Sequence, residues 1–185
     1  MPLPRPGAPA PPSQDDKHRF LAAERQQESG GNYQIVNPGS GALGAYQVMP
    51  ANLPGWLAQS GLPPMTAYAY LHDLAAQDRL AWVILGGYYD QYGPAGAAAM
   101  WYSGQPDPNA TFGDPPVYVY VRDVLALMSQ NLPAPNYGTA PGGTDFTLPP
   151  PNTSDWSPTI RGTGTLLRET GITLAAAAAT VSKLR

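Results

Sequence analysis

The sequence contains no cysteine, which excludes both a disulfide framework and a thiolate nucleophile. Histidine is nearly as scarce: His18 and His72 lie far apart, without a regular carboxylate spacing around them, so we expect no metal site and no cofactor. Charged residues make up only 12% of the chain, the formal net charge is -3, and no cluster of Lys and Arg stands out. We therefore expect no nucleic-acid partner.

Long apolar segments are also absent. The best candidate lies in residues 171–185, GITLAAAAATVSKLR, where an apolar stretch of about ten residues falls well short of the roughly 20 that a membrane-spanning helix needs. Residues 1–16, MPLPRPGAPAPPSQDD, have no apolar stretch followed by a small-residue cleavage site, so they do not predict a secretory signal. We expect no membrane span, and export of the protein would need another route.

Proline and glycine are abundant instead, with 23 and 20 residues, and their distribution divides the chain. Residues 1–12 predict an extended Pro-rich arm, and residues 133–164 predict a Pro/Gly-rich linker or an arm that lies across a partner's surface. Residues 13–132, between them, have the length of one domain. Residues 165–185 predict a short C-terminal helix that would dock on the domain or on another chain.

The apolar spacing within the central segment predicts a mainly α domain. Ser13 followed by Asp16 is typical of a helix start, and this helix is expected to end at Gly30 and Gly31. Residues 32–50 predict a loop or a short irregular hairpin. Further helices are expected over residues 66–92 (one long helix or two abutting ones), 95–104 and, despite an alternating start, 117–130.

Glutamate is scarce, and one of its three positions suggests chemistry. Glu28, unlike Glu24 and Glu169, falls at the end of a predicted helix that runs into a glycine-bearing loop. The negative pole of the helix dipole disfavours an ionised carboxylate there, and burial would act in the same direction. A carboxyl that keeps its proton is what glycoside cleavage requires of a general acid. On position alone, however, a solvated carboxylate in the last turn is the more common case.

The neighbouring residues favour the catalytic interpretation of Glu28. The segment ESGGN at 28–32 is followed by SGALGAYQVMP at 40–50, AMWYSG at 99–104 and YVRDV at 120–124. In order, these segments resemble the signature of the soluble lytic transglycosylases, relatives of goose-type lysozyme. That signature is an ES pair closing a helix, a GA-x-G-x-x-Q-x-M-P loop, an AAYNAG helix end and a Y-V-x-x-V helix. The resemblance covers about residues 20–128 and leaves both extensions without a counterpart.

The resemblance implies a lysozyme-like helical domain with Pro/Gly-rich N- and C-terminal extensions, acting on the glycan strands of bacterial peptidoglycan. In the family, a Glu in the position of Glu28 protonates the oxygen between N-acetylmuramic acid and N-acetylglucosamine. The same carboxylate then accepts the proton of the C6 hydroxyl, which closes a 1,6-anhydro ring without consuming water. The acetamido group of the substrate is thought to stabilise the cationic centre, so no second carboxylate is required.

The family's pattern also implies substrate-binding roles for Ser29, Ser40, Gln47 and Tyr120 of this sequence. The two serines would steady the loop or contact sugar, Gln47 would bond the substrate near the cleavage point, and Tyr120 would orient Glu28. Each has a structural alternative. Ser29 could cap backbone, Gln47 could tie the loop down, and Tyr120 could be a core residue with a satisfied hydroxyl.

Two positions depart from the family's pattern. Tyr46 stands where an apolar residue, often Met, precedes the Gln, and Tyr102 stands where the motif has Asn. Both are candidates for stacking on sugar rings, as is Trp101. Aromatic residues at helical spacing more often belong to the core, and for Trp101 the core is favoured.

Two other functions stay open at the level of sequence. A lysozyme-type hydrolase, such as an endolysin, would use water in place of the C6 hydroxyl, and a structural or wall-binding module would have the fold without the activity. A wall-degrading domain with Pro/Gly-rich arms and no visible export signal is typical of a phage virion component that opens the wall locally. Its arms and C-terminal helix would then contact other virion proteins. A phage lysis enzyme or an enzyme of a bacterial secretion machine, each acting in the cell envelope, is the alternative setting.

Overall fold

The computed structural model describes residues 14–138, and this part of the chain is mainly helical, as predicted. Its helices are α1 (Gln14–Ser29), α2 (Leu53–Gln59), α3 (Ala67–His72), α4 (Leu74–Ser103) and α5 (Val117–Met128). The expected Pro-rich arm, the capping residue Ser13, most of the expected linker and the C-terminal helix lie outside the described residues.

Residues 66–92 contain two abutting helices and not one. Asp73 separates α3 from α4, and its side chain accepts a hydrogen bond of 2.8 Å from the backbone N–H of Ala76, which caps α4. α4 is itself interrupted at Gly93, whose φ of 68° and ψ of 177° are not helical, directly before Pro94. The ring of Pro94 carries no N–H for a helical bond to the preceding turn, so the expected break at this point is confirmed.

Three helices build the core. α1 and α5 pack against each other and against α4, while the shorter α2 and α3 also pack on α4. The side chains that are fully buried between these elements are mainly large and apolar or aromatic, and include Phe20, Leu21, Tyr46, Leu57, Tyr70, Leu80, Ile84, Leu85 and Val117. Each apolar side chain of this size stabilises the folded state by about 1.5–3 kcal/mol. The packing of α1 on α5 brings the end of one helix to the start of the other.

Residues 30–52 connect α1 to α2 as an irregular loop. Two isolated antiparallel bridges, Val36 with Leu43 and Leu43 with Val48, take the place of a regular hairpin. The predicted loop or irregular hairpin is thus confirmed. Because Leu43 pairs on both sides, the loop folds back on itself twice and stays compact.

α2 is a helix that the apolar spacing does not predict. It has seven residues, includes Pro54 and Gly55, and buries only Leu53 and Leu57 of its own side chains. A segment this short has no recurring apolar face to detect, and its adjacent Pro and Gly are typical of a turn, although Pro54 lies in the first turn of the helix, where proline is tolerated. Its helical form depends on packing against α4.

Residues 133–138 lie on the helical domain and do not leave it as a linker. The carbonyl oxygen of Pro133 accepts a hydrogen bond from Arg25, and the backbone N–H of Asn136 donates to Asp78 over 2.5 Å. These polar groups complete the bonding of two side chains that are themselves buried, so the segment belongs to the domain. The expected domain boundary after residue 132 is therefore too early by at least six residues.

Candidate active site

Glu28 lies in the last turn of α1, where two glycines end the helix as predicted. The N–H of Gly30 donates to the carbonyl oxygen of Gln26 over 2.9 Å, and that of Gly31 donates to Arg25 over 3.3 Å. Gly30 has a φ of 64°, in the left-handed region that glycine occupies without steric cost. The half-buried side chain of Glu28 is thereby held where the helix gives way to the loop.

The hydroxyl of Tyr120, near the start of α5, lies between two carboxyls of α1. Its Oη is 2.5 Å from Oε1 of Glu28 and 2.6 Å from Oε2 of Glu24. Glu24 and Glu28 are four residues apart and share one face of α1. The expected contact of Tyr120 with Glu28 is present. Only 2% of Tyr120 is exposed, so a direct contact between this side chain and sugar, the other role implied for it, is not available.

Burial dominates the electrostatics of these three groups. It raises the pKa of Glu28 to about 7, against the opposing effect of the hydrogen bond from Tyr120. Burial, followed by the charge of Glu28, raises the pKa of Glu24 well above its ordinary value. Burial also raises the pKa of Tyr120, so that its phenol stays neutral. Near neutral pH, Glu28 can therefore both release and take up a proton at little cost in free energy.

Tyr102, at the end of α4, lies beside Glu28 and Tyr120. Its ring stacks on the ring of Tyr120 with 4.5 Å between centroids and 17° between planes, and its hydroxyl donates to the carbonyl oxygen of Pro115 over 2.8 Å. Burial and the charges of Asp114 and Glu28 raise its pKa to about 12. The structure thus brings half-buried Tyr102 to the site and gives it a packing role there.

Gln47 is held in a backbone conformation that side chains rarely adopt, with a φ of 51°. Its Nε2 donates to the carbonyl oxygen of Gly44 over 2.9 Å, whereas its Oε1 is buried and has no hydrogen-bond partner within residues 14–138. A left-handed conformation costs roughly 1–2 kcal/mol for a residue with a Cβ. The anticipated structural role of Gln47, tying the loop down, is present, and its Oε1 is an unused acceptor.

Ser29 and Ser40 both bond to nearby backbone. The Oγ of Ser29 donates to the carbonyl oxygen of Arg25 over 3.1 Å, one helical turn earlier. The Oγ of Ser40 accepts from the N–H of Ala42 over 3.2 Å. These local contacts give the two serines the steadying role that was one of their two expected functions.

The loop is fixed to α4 through Gln77, a fully buried polar residue that the motifs do not include. Its Oε1 accepts from the N–H of Ala45 over 2.8 Å, and its Nε2 donates to the carbonyl oxygens of Tyr33 and Tyr70, each over 3.0 Å. A Cβ on Gly44 would lie only 2.1 Å from the Oε1 of Gln77, so only glycine allows this approach. Gln77 therefore sets where the loop lies relative to the helices.

Tyr46 is not part of the site, and the prediction that it binds substrate is wrong. Its side chain is 0% exposed, and its hydroxyl donates to Oδ1 of Asp78 over 2.8 Å. Asp78 also accepts from the hydroxyl of Tyr33 over 2.8 Å and lies 3.7 Å from Nη1 of Arg25. A buried carboxylate needs several donors, and a phenol reaches it from the loop where the apolar residue of the family's pattern could not.

The ring of Trp101 packs against the ring of Trp56 in α2, with 5.3 Å between ring centroids. Both rings are partly buried against the core. This agrees with the favoured interpretation that Trp101 is a core residue, although part of its ring stays exposed.

Glu24 is the site residue that the motifs do not single out. Its signal in the sequence is its spacing, because a side chain that reaches one of two glutamates at positions i and i+4 can reach the other.

Within residues 14–138, no group of three or more His, Asp or Glu side chains could hold a metal ion, and no helix is long and apolar enough to cross a membrane. The groups gathered at Glu28 are carboxyls and phenols, which transfer protons and form hydrogen bonds.

Comparisons with known proteins give no match: no family model matches the chain, and neither a curated protein nor a solved structure is significantly similar to it.

Proposed function

We propose that the protein is a peptidoglycan lytic transglycosylase with Glu28 as its single catalytic acid and base. The observation that carries the proposal is the 2.5 Å contact between Glu28 Oε1 and Tyr120 Oη, at a carboxyl whose pKa burial raises to about 7. Such a carboxyl is protonated in a large fraction of molecules at neutral pH, and it is oriented by a group that stays neutral.

The arrangement of the motif segments supports a lysozyme-like domain as the setting for this chemistry. Residues 28, 102 and 120 come from three different helices and meet around one carboxyl. The loop that bears Gln47 follows the same helix end. The Oε1 of Gln47 is buried, so a substrate hydroxyl or amide would bond to it only after the side chain turned outward; such a bond would satisfy an oxygen that has no partner within the described residues.

In the proposed reaction Glu28 gives up one proton and then takes up another. Glu28 protonates the bridging oxygen as the bond from C1 of N-acetylmuramic acid breaks, and N-acetylglucosamine leaves with a hydroxyl. The carbonyl oxygen of the substrate's acetamido group stabilises the positive charge at C1. The carboxylate of Glu28 then takes the proton of the C6 hydroxyl, whose oxygen bonds to C1 and closes the 1,6-anhydro ring. Tyr120 donates to the carboxylate between the two transfers.

Digestion of purified peptidoglycan followed by mass spectrometry tests the proposal. We expect 1,6-anhydro ends with the wild-type protein and no release with Glu28→Gln, which keeps the size of the side chain but cannot donate an acidic proton. Asp123→Asn is the matched control, because the side chain of Asp123 on α5 is 42% exposed and pairs with Arg122. Its products should equal those of the wild type.

Two other results would replace the proposal with its alternatives. Reducing ends in place of anhydro ends would identify a lysozyme-type hydrolase, in which water attacks C1. Equal absence of release by wild type and Glu28→Gln, together with retention on insoluble cell wall, would identify a wall-binding module.

We further propose that the enzyme acts from a phage particle, opening the bacterial wall locally. The support is the composition of the Pro/Gly-rich segments on either side of the domain, which suits arms lying on other virion proteins. Mass spectrometry of purified, salt-washed particles should detect the protein. Its absence from them would favour a lysis enzyme or an enzyme of a secretion machine.

A further inference from the structure

Glu24 is a buried carboxyl that the proposed reaction does not use. Its side chain is 0% exposed, its Oε2 contacts the hydroxyl of Tyr120, and its Oε1 has no hydrogen-bond partner. No basic side chain compensates it among the ion pairs of residues 14–138, since neighbouring Arg25 pairs with Asp78 instead. The groups that act on its charge are Glu28 on its own helix and Tyr120 on α5.

The number of protons available constrains the charges of the two carboxyls. A phenol has one proton to donate and lone pairs that accept, but Tyr120 Oη lies within 2.6 Å of an oxygen from each carboxyl. If both carboxyls were ionised, one contact would join two oxygens with no proton between them, in a buried setting. At least one carboxyl must therefore be protonated and donate to Tyr120.

The burial of Glu24 decides which carboxyl holds that proton. An ionised Glu24 would leave a charged oxygen, Oε1, buried without a donor, which costs far more than a neutral carbonyl oxygen in the same place. Glu28 is half-buried, so its carboxylate retains part of its hydration. The bonds then run in one direction, from Glu24 Oε2–H to Tyr120 Oη and from Tyr120 O–H to Glu28 Oε1.

We infer that Glu24 is a positioning residue that keeps its proton and, by donating to Tyr120, turns the hydroxyl proton of Tyr120 toward Glu28. Oε1 of Glu28 then only accepts, and the acidic proton of Glu28 is placed on Oε2, the oxygen that Tyr120 does not contact. After that proton has been given away, Tyr120 already points at the carboxylate that remains. The catalytic consequence rests on the proposed function, whereas the location of the proton does not.

Nuclear magnetic resonance can locate the proton without any substrate. The chain has three glutamates, so labelling the side-chain carboxyl carbons with carbon-13 gives three signals, assigned with Glu24→Gln and Glu28→Gln. As the pH rises from about 4 to about 9, the Glu24 signal should titrate after the Glu28 signal. Titration of Glu24 before Glu28 would overturn the inference, whatever the substrate of the protein.

A kinetic comparison separates positioning from simple space-filling. The amide of Glu24→Gln can still donate to Tyr120, so kcat should stay within about threefold of wild type. Glu24→Met has a similar length but no donor, and we expect about a tenfold loss of kcat with KM unchanged. Equal kcat values for the two variants would contradict the inference. If the wild type itself releases nothing from peptidoglycan, the proposed function fails, and the titration order still decides the role of Glu24.

Discussion

The ring of Tyr102 stacks on the ring of Tyr120 with 4.5 Å between centroids and 17° between planes. The hydroxyl of Tyr102 is tied to the carbonyl oxygen of Pro115, so the covering ring is itself fixed. This packing supports the phenol of Tyr120 in the position in which its hydroxyl reaches Glu28. An aromatic residue at 102, where the resembling family has Asn, therefore gives this chain a rigid support for its proposed catalytic carboxyl.

Replacing Tyr120 by Phe should lower kcat by about tenfold to a hundredfold, because a hydrogen bond to a charged group is lost while the stacked ring remains. The hydrogen bond from Tyr120 lowers the pKa of Glu28, so the alkaline limb of the pH profile should also move upward in the variant. Steady-state digestion of peptidoglycan at several pH values measures both effects. Tyr118→Phe, on the same helix and 46% exposed, is the control and should match the wild type.

The pH dependence of the wild type should reflect the state of Glu28. The acid must be protonated to start the reaction, and burial raises its pKa to about 7. We therefore expect kcat/KM to fall about tenfold per pH unit above pH 7. A rate that stays constant to about pH 9 would show that Glu28 is not the group donating the proton.

Thermal stability should fall as the pH rises. The pKa of Glu28 is raised in the folded state from an ordinary value of 4.5 to about 7, and that of Glu24 is raised as well. Between about pH 4.5 and about pH 7, the folded chain therefore binds more protons at Glu28 than the unfolded chain does, so the free energy of unfolding decreases with increasing pH. Glu28→Gln removes one such group, and its Tm should decline less than that of wild type between about pH 5 and about pH 8. Calorimetry that shows parallel declines would contradict this assignment.

The helices and the position of Glu28 at the end of α1 are the parts that the sequence predicts well. The end of α1 follows from two adjacent glycines, and Glu28 stands out because it directly precedes them. The glycine pair and the Glu28 that precedes it are local signals. In the structure α1 ends at Ser29, and Glu28 contacts Tyr120, as expected.

The features that the sequence does not predict depend on contacts between residues that are distant in sequence. Tyr46 has the appearance of a sugar-stacking residue until its hydroxyl is seen to meet Asp78, 32 residues away. Glu24 acquires its role through Tyr120, 96 residues away. The Pro-bearing segment after residue 132 has a linker's composition, but its backbone groups complete the bonding of Asp78 and Arg25. Burial of polar groups is a property of the assembled fold, and no local pattern reports it.

The docking of residues 133–138 should contribute measurably to stability. The ring of Tyr137 lies against His18 and Trp82, with 5.5 and 5.6 Å between ring centroids. Tyr137→Ala should lower the free energy of unfolding by about 2 kcal/mol in chemical denaturation of the full chain. Asn131→Ala, at an exposed position just before this segment, should change it by less than about 0.5 kcal/mol. Equal stabilities would mean that the segment does not support the domain.

The approach of the loop to α4 is tested by two glycines with the same backbone conformation. Gly44 and Gly61 have φ values of 68° and 65°, so alanine at either position incurs roughly 1–2 kcal/mol of backbone strain. At Gly61 a Cβ meets nothing within 4 Å, whereas at Gly44 it would lie 2.1 Å from Oε1 of Gln77. Gly44→Ala must displace Gln77 from the N–H of Ala45 and should cost about 2 kcal/mol more than Gly61→Ala. Because Gln77 positions the loop that bears Gln47, Gly44→Ala should also raise KM for peptidoglycan, while Gly61→Ala should leave it unchanged. Equal unfolding free energies for the two variants would show that Gln77 does not fix the loop.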